Sequence, residues 1–269
     1  YKIYLLDNDS PNGSFAPLLT KYQDNPFVEC FKSDKNCGYA RGNNLCIKRA
    51  KQDGCDTILI SNNDIVFEEN AIDLLYQDIK TKDCLLIAPS LKSPQGSFQK
   101  NIKLEKPSFQ SYWMTETYLR NLDKKKKYNH LSLPETFSEV YWASGAVFIA
   151  NMDKFEKIGF FDPHTFLYFE EYIIAEKAAK KGYKIGFEPD ACAYHYHGAS
   201  TGGSANLFTR LENFKSEVYF FKNYWILSKS QLKKIRCIRC LEVLFTFTKA
   251  HKIKDALQFI KKSKLILKG

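Results

Sequence analysis

Short apolar runs alternate with helix-like segments through the first two thirds of this chain of 269 residues. The runs at residues 1–6, 27–31, 57–61 and 84–88 are predicted strands, and the segments at 15–22, 45–51 and 69–80 are predicted helices. This alternation predicts an α/β fold in which a mostly parallel central sheet is flanked by helices. Such sheets bind ligands beyond the carboxyl ends of their strands, so the polar residues there are candidate site residues.

The pattern changes twice along the rest of the chain. Residues 90–139 are polar and contain four consecutive lysines at 124–127, which predicts a mobile insertion. Regular structure returns with predicted strands at 140–150 and 184–187 and predicted helices at 152–158 and 168–181. Beyond residue 214 the composition becomes aromatic and basic. We therefore predict a catalytic domain over residues 1–214 and a helical tail over residues 215–269.

The chain is basic, with 40 Lys and Arg against 30 Asp and Glu, a net charge of +10 and a pI of about 9.0. This charge favours an anionic partner, such as nucleic acid, a membrane surface or a phosphorylated ligand. No nucleic-acid-reading module is recognisable, which argues against the first. No apolar run of 18 residues and no cleavable leader is visible, and the eight cysteines are irregularly spaced, so we predict a cytoplasmic location.

Acidic side chains follow predicted strands at Asp7 and Asp64, and a third acidic site, the pair Glu170 and Glu171, begins a predicted helix. If the strands are parallel, Asp7 and Asp64 meet at one edge of the sheet. Asn62 and Asp64 carry oxygen ligands two residues apart, a spacing that suits Mg²⁺ or Mn²⁺. The alternative is that this segment only caps the helix that follows it.

Two histidines, His195 and His197, lie on one face of a predicted extended segment. One of them could complete a metal site with Asp64. The alternative is that both are ordinary buried or surface histidines.

Several segments, in order, resemble the motifs of glycosyltransferase family 2, an inverting family with the GT-A fold. They are residues 6–14 (Leu-Asp-Asn-Asp-Ser followed by Asn-Gly-Ser), 36–44 (Asn-Cys-Gly-Tyr-Ala-Arg-Gly-Asn-Asn), 59–64 (Leu-Ile-Ser-Asn-Asn-Asp) and parts of 143–200, including Phe-Leu-Tyr-Phe-Glu-Glu at 166–171. The chain looks closest to rhamnosyltransferase-like members that build polysaccharides and O-antigens. The resemblance implies a Rossmann-like GT-A domain with a C-terminal helical extension, and a first strand that precedes residue 1.

The resemblance also implies roles for the candidate residues. Glu171 stands at the position of the family's catalytic Asp and would deprotonate the acceptor hydroxyl, kept ionised by the helix dipole. Asp64, with His195 or alternatively His197, would hold Mn²⁺ or Mg²⁺. The donor nucleotide would be bound by Asp7, Asn8, Asn36, Arg41 and Asn62, and the acceptor side would be supported by Glu170, Trp142, Ser144 and Gly145.

The predicted function is inverting transfer of a hexose from a UDP- or dTDP-sugar to a hydroxyl of a glycan or lipid-linked acceptor, in the synthesis of a bacterial cell-surface polysaccharide. The basic and aromatic tail suits peripheral contact with the anionic inner face of the cell membrane, or alternatively forms a cap on the catalytic domain. A non-catalytic nucleotide-sugar-binding module is the main alternative function, because Glu-Glu-Tyr-Ile at 170–173 replaces the family's Glu-Asp-x-Asp. A nucleic-acid-binding protein is the third hypothesis.

Overall fold

The computed structural model describes residues 1–115, 133–196 and 205–268. The strands in these ranges are β1 (Ile3–Asp7), β2 (Val28–Lys32), β3 (Thr57–Ser61), β4 (Ile65–Phe67), β5 (Cys84–Lys92), β6 (Ile102–Lys103), β7 (Ser138–Val140), β8 (Trp142–Ala143), β9 (Val147–Asn151) and β10 (Lys184–His195). The helices are α1 (Phe15–Tyr22), α2 (Tyr39–Gln52), α3 (Ala71–Thr81), α4 (Phe109–Thr115), α5 (Met152–Lys157), α6 (Glu170–Lys181), α7 (Leu207–Asn223), α8 (Lys229–Lys249) and α9 (Ile253–Lys268).

The central sheet has the strand order β3, β9, β5, β10, β4, and β7 also pairs with β10. Strands β5 and β10 pair in parallel, while β9 pairs antiparallel with both β3 and β5, so β3, β5 and β10 run in one direction. Strands β1 and β2 form a separate parallel pair. The predicted α/β class with its mostly parallel sheet and flanking helices is confirmed. The antiparallel β9 between β3 and β5 was not predicted, because an apolar run does not encode the direction of its strand.

Several element bounds differ from the predictions. Helix α2 begins at Tyr39, six residues before the predicted start, so the second half of the 36–44 motif is helical. The predicted strand at 140–150 is divided among β7, β8 and β9. Strand β10 is 12 residues long and continues through Pro189, where its pairing with β5 shifts register between Glu188 and Cys192. A register shift of this kind accommodates a proline, which cannot donate to the ladder.

The segment at 90–139 is only partly irregular. It contains the end of β5, all of β6 and α4 and the start of β7, while residues 116–132, including the four lysines, lie outside the described ranges. The prediction of a mobile insertion is therefore wrong for the flanks of this segment.

Helix α6, which carries the acidic pair, begins two residues later than predicted. Tyr168 and Phe169 both have φ of 70°, a left-handed conformation that a helix cannot include. The helix ends at Gly182, whose φ of 69° is the usual left-handed C-terminal cap. Side chains that rarely adopt positive φ cost about 1–3 kcal/mol each in that region, so the turn before the acidic pair is held by its surroundings.

Two hydrophobic clusters position the site. The first lies between the central sheet and α2, α5 and α6, and includes Ile60, Phe148 and Phe161. The second joins α4, α6 and the tail helices, and its buried aromatic members are Tyr112, Phe169, Tyr172, Phe214, Phe220, Phe221, Phe247 and Phe259. The tail therefore packs directly on the helix that carries the acidic pair.

Helix α7 covers the position at which the two predicted domains divide. It runs from Leu207 to Asn223 through residue 214. The division into residues 1–214 and 215–269 stays a prediction. Among the helices that the structure describes, none combines the length and the apolar character needed to cross a membrane.

Candidate active site

The predicted metal ligands Asp64 and His195 lie side by side. Asp64 follows β3 and precedes β4, and His195 ends β10, where it pairs with Ile65 of β4. Nε2 of His195 is 3.3 Å from Oδ1 of Asp64. That oxygen is buried and accepts no hydrogen bond within the described residues. Two adjacent ligands of an octahedral cation with bonds of ~2.1 Å stand about 3.0 Å apart, so the pair fits a shared Mg²⁺ or Mn²⁺.

Two protein ligands are enough for such a cation only if other oxygens complete the shell. Over the ranges that the structure describes, no group of three or more His, Cys, Asp and Glu side chains is arranged to hold a metal. The alternative ligand His197 lies outside those ranges. Mg²⁺-like sites commonly use one or two carboxylates with waters and substrate phosphates, which matches this arrangement.

The acidic pair lies at the start of α6, next to the turn at residues 144–146 that precedes β9. Glu170 is only 4% exposed, and its Oε1 has no hydrogen-bond partner among the described residues. Glu171 is half-buried, and its Oε1 lies 3.5 Å from the backbone nitrogen of Gly145, which donates to it. A Cβ at position 145 would lie 3.3 Å from Cγ of Glu171, so the absence of a side chain at this glycine lets the carboxylate approach the turn.

Both carboxyl groups of this pair resist ionisation. Burial raises the pKa of Glu170, and the neighbouring charge of Glu171 raises it further. Burial also raises the pKa of Glu171, against the lowering effect of the backbone N–H groups of Glu171 and Gly145. The expectation that the helix dipole keeps Glu171 fully ionised therefore omitted the larger effect, which is desolvation.

A turn at residues 144–146 links the metal ligands to the acidic pair. The backbone nitrogen of Asn62 donates to the carbonyl of Ala146 at 2.8 Å, which fixes the segment that carries Asp64. Ser144 accepts a hydrogen bond from the nitrogen of Ala146 at 3.2 Å. The turn thus brings together Asn62, Ser144 and Gly145, which are three of the predicted site residues.

Tyr39 is a site residue that the sequence reasoning missed. Its hydroxyl donates to the carbonyl of Gly145 at 2.5 Å, and the N–H of the same glycine contacts Glu171. Burial, together with the nearby charges of Glu170 and Glu171, raises its pKa far above the ordinary range, so it stays a neutral donor. Its position at the start of α2, within the 36–44 motif, was the available signal.

The predicted donor-binding residues Asp7 and Asn8 organise the end of β1. Asp7 is buried and accepts hydrogen bonds from the nitrogen of Ser10 at 2.9 Å and the hydroxyl of Ser14 at 3.4 Å. Asn8 donates to the carbonyl of Gly38 at 3.0 Å and lies 3.4 Å from Oδ1 of Asn36. The structure therefore brings Asn8 and Asn36 together, while Asp7 closes the turn that follows its own strand.

The 36–44 motif is fastened to residues 161–166 by backbone acceptors, an arrangement that we call the clasp. Tyr39 donates its backbone N–H to the carbonyl of Phe166 at 2.8 Å. Arg41 donates from Nε to the carbonyl of Pro163 at 2.7 Å, and Asn44 donates to the carbonyl of Phe161 at 2.9 Å.

Gly38 allows the closest approach within the clasp. It has φ of 83°, and a Cβ there would lie 2.4 Å from the Phe166 oxygen. A side chain at this position would therefore collide with the backbone that the clasp holds.

Trp142, predicted on the acceptor side, lines a cavity of about 340 Å³ beside the acidic pair. Its indole nitrogen is buried and has no hydrogen-bond partner in the described part of the chain. Its ring lies 5.6 Å from that of Tyr172 on α6. Residues of the tail helices form the opposite wall.

A buried ion-pair network holds the tail against this wall. Arg239 of α8 donates to Glu217 of α7 at 2.8 Å and to Glu242 at 2.7 Å. Tyr112 of α4 donates to the same Glu217, at 2.8 Å, and Glu217 is fully buried. Removal of one member would leave a buried charge unpaired, which typically costs about 3–5 kcal/mol.

Residues 1–176 match the sequence model of the family described as "Glycosyl transferase family 2". Over 218 residues the chain is 22% identical to N-acetylglucosaminyl-diphospho-decaprenol L-rhamnosyltransferase of two Mycobacterium tuberculosis strains, CDC 1551 / Oshkosh and ATCC 25618 / H37Rv. This similarity covers 74% of the chain and 68% of the relative.

Solved glycosyltransferases share the fold. The crystal structure of GalNAc-T7 with UDP, GalNAc and Mn²⁺ is 15% identical with a TM-score of 0.60, over 88% of this chain and 48% of that one. The mannosyltransferase PcManGT from Pyrobaculum calidifontis, in complex with GDP-Man and Mn²⁺, is 11% identical with a TM-score of 0.50, over 98% of this chain and 66% of that one. The chain therefore spans about half the length of the first structure, and the GT-A fold expected from the sequence is confirmed.

Proposed function

The chain belongs to glycosyl transferase family 2, and from this premise we propose that it transfers one sugar, with inversion, from a UDP- or dTDP-sugar to a hydroxyl of a glycan or lipid-linked acceptor. The observation that carries the proposal is the convergence of Asp64 with His195, and of Glu171 with Gly145, around the 144–146 turn. The lipid-linked acceptor is supported by the name of the Mycobacterium relative, which contains N-acetylglucosaminyl-diphospho-decaprenol.

In the proposed reaction Glu171 takes the proton of the acceptor hydroxyl as the oxygen attacks the anomeric carbon of the donor. The bond from that carbon to the diphosphate oxygen breaks, and its electron pair leaves with the nucleoside diphosphate. Attack from the face opposite the leaving group inverts the anomeric centre. Mn²⁺ or Mg²⁺, bound by Asp64 and His195, would stabilise the negative charge on the leaving diphosphate.

The more buried carboxyl of the pair would keep the other one ready for this role. Glu170 is nearly inaccessible, and its Oε1 has no hydrogen-bond partner among the described residues, so Glu170 is the carboxyl that keeps its proton. Glu171 receives the backbone N–H of Gly145 and so stays the anion. A general base with a raised pKa is also better matched to proton transfer near neutral pH.

Peripheral membrane contact is part of the proposal. The tail helices expose Leu241, Phe245, Leu257 and Leu265, with exposures of 67%, 41%, 58% and 62%. Lysines are frequent on the same helices, and the combination suits the surface of an anionic bilayer. Sedimentation with phosphatidylglycerol vesicles, compared with phosphatidylcholine vesicles, tests this contact, and Leu257→Glu should weaken it.

The function is tested by incubating the protein with UDP-, dTDP- and GDP-sugars and Mn²⁺ or Mg²⁺, with a polyprenyl-diphosphate-linked sugar as the acceptor. We expect metal-dependent transfer from one donor that is abolished by EDTA, by Asp64→Ala and by Glu171→Gln. Glu156→Gln is the matched control, because it makes the same substitution at an exposed glutamate that pairs with Lys51. If the protein binds the nucleotide but transfers no sugar under any of these conditions, and if Glu171→Gln leaves nucleotide binding unchanged, the result would instead support the non-catalytic module.

A further inference from the structure

The cavity of about 340 Å³ has one wall from β8 and α6 and one wall from α7 and α8. Trp142, Glu171 and Tyr172 line the first wall, and Arg210, Asn213 and Glu242 line the second. Its volume lies at the lower end of the roughly 300–1,000 Å³ typical of small-molecule sites, so it suits a compact ligand such as one sugar unit.

The composition of the walls matches a sugar better than an apolar ligand. Aromatic rings such as those of Trp142 and Tyr172 offer flat faces on which the C–H face of a pyranose packs. The guanidinium, amide and carboxylate groups of Arg210, Asn213 and Glu242 are planar and can form paired hydrogen bonds with neighbouring hydroxyls. Aromatic and polar side chains therefore line the same cavity, which suits a sugar because its ring has one apolar face and carries hydroxyl groups.

One wall also carries a hydrogen-bond donor that no described residue satisfies. The indole N–H of Trp142 is buried without a partner in the described residues. A buried donor in this state destabilises the unliganded protein, and a ligand oxygen that accepts from it removes that cost. Proteins rarely retain such a group in a structural core, and here it belongs to a residue that lines the cavity.

The charges of the lining indicate a neutral ligand. Arg239 also lines the cavity, but Glu217 and Glu242 already neutralise it. Burial lowers the pKa of Arg210, and the charge of Glu242 acts against that effect. With Glu171 on the opposite wall, acidic and basic side chains balance, so a phosphate group would meet as much repulsion as attraction.

We propose that this cavity binds the sugar unit of the acceptor, and that Arg210 and Asn213 of α7 and Glu242 of α8 determine which sugar is accepted. The inference rests on the proposed transferase function. It gives α7 and α8 a role besides membrane contact, because they complete a site that β8 and α6 form only in part. Because Glu171 lines the same cavity, a sugar bound there presents a hydroxyl to the proposed base.

The test is binding of methyl glycosides of rhamnose, galactose, glucose and N-acetylglucosamine to the full chain, measured by saturation-transfer NMR with UDP or dTDP and Mn²⁺ present. At least one glycoside should bind. Trp142→Phe keeps an aromatic ring but removes the N–H, and should weaken binding about 3- to 10-fold. Arg210→Gln removes charged hydrogen bonds and should weaken binding at least about 10-fold. Trp113→Phe is the matched control, since Trp113 stacks with Lys234 outside the cavity.

Each outcome has a defined meaning. Absence of binding by every glycoside, or binding that Trp142→Phe and Arg210→Gln leave unchanged, would overturn the proposal. Competition by pyrophosphate that is lost in Arg210→Gln would also overturn it, in favour of an anion site. Affinity for the nucleotide with Mn²⁺ is measured in the same samples. Its absence in the wild type would refute the proposed function, and its retention in the variants shows that they are folded.

Discussion

Glu170→Gln should change how the stability of the protein depends on pH. In the wild type, burial and the charge of Glu171 raise the pKa of Glu170 to about 8. The unfolded chain has an ordinary glutamate pKa of about 4.3, so between these values the folded state binds more protons than the unfolded state. The stability contributed by the neutral carboxyl is complete below pH 4 and is lost as the pH rises through 8. Glutamine cannot ionise and removes this dependence.

The size of the effect follows from the two pKa values. Each pH unit in that interval changes the free energy of unfolding by about 1.4 kcal/mol, which gives a total on the order of 5 kcal/mol by pH 9. Glu170 is almost fully buried, so solvent does not screen this effect. We expect wild type and Glu170→Gln to differ by no more than about 1 kcal/mol at pH 5, since both side chains are then neutral. At pH 9 the variant should be the more stable protein.

Urea unfolding followed by circular dichroism, at pH values from 5 to 9, measures the difference. Glu176→Gln on the same helix is the control of opposite sign. Burial acts to raise the pKa of Glu176, but hydrogen bonds from Lys106, Tyr141 and Trp225 outweigh it and lower the pKa. That substitution should therefore destabilise the protein at neutral pH. Parallel stability curves for wild type and Glu170→Gln across this range would refute the reasoning.

Three further predictions concern the site and the clasp. The rate of transfer by the wild type should fall as the pH is lowered through the raised pKa of Glu171. A pH profile of kcat should place this fall at a higher pH than the pKa of an exposed carboxylate would. Asp64→Asn and His195→Ala should each weaken Mn²⁺ binding at least about tenfold, as followed by electron paramagnetic resonance of the free ion, whereas His251→Ala on the tail should leave it unchanged. Gly38→Ala should cost about 2–4 kcal/mol of stability in urea, more than Gly54→Ala, because both glycines have positive φ but only the first would place Cβ against a backbone oxygen.

The sequence predicted the type and place of most elements in the first 90 residues because strands and helices there are short and separated by turn residues. The bounds of α1 and β3 agree to the residue with the prediction. The sequence did not predict the division of residues 140–150 into three strands, since Ser144, Gly145 and Ala146 form a turn that tertiary contacts fix. It also did not predict that α6 begins only after Tyr168 and Phe169. Positive φ in these aromatic residues is imposed by packing and not by propensity.

The proximity of Asp64 and His195 in the candidate site was predictable, whereas the electrostatics of the acidic pair were not. The proximity of Asp64 and His195 follows from the pairing of β4 with β10, which no local pattern in the sequence indicates. The resemblance to the family indicated both residues nevertheless. The raised pKa values of Glu170 and Glu171 depend on how deeply α6 is covered by the tail, and burial of that kind is a property of the whole fold.

The clasp bears on how this protein can diversify. Its acceptors are the carbonyl groups of Phe161, Pro163 and Phe166, and every residue type carries a carbonyl. Substitution of the exposed Pro163 would therefore leave its acceptor atom in place. Phe161 is different, because its ring is fully buried in the first hydrophobic cluster and its replacement would disturb the packing around the clasp. The contact between α2 and the segment that leads to α6 thus tolerates change in side chains at the surface and resists it in the core.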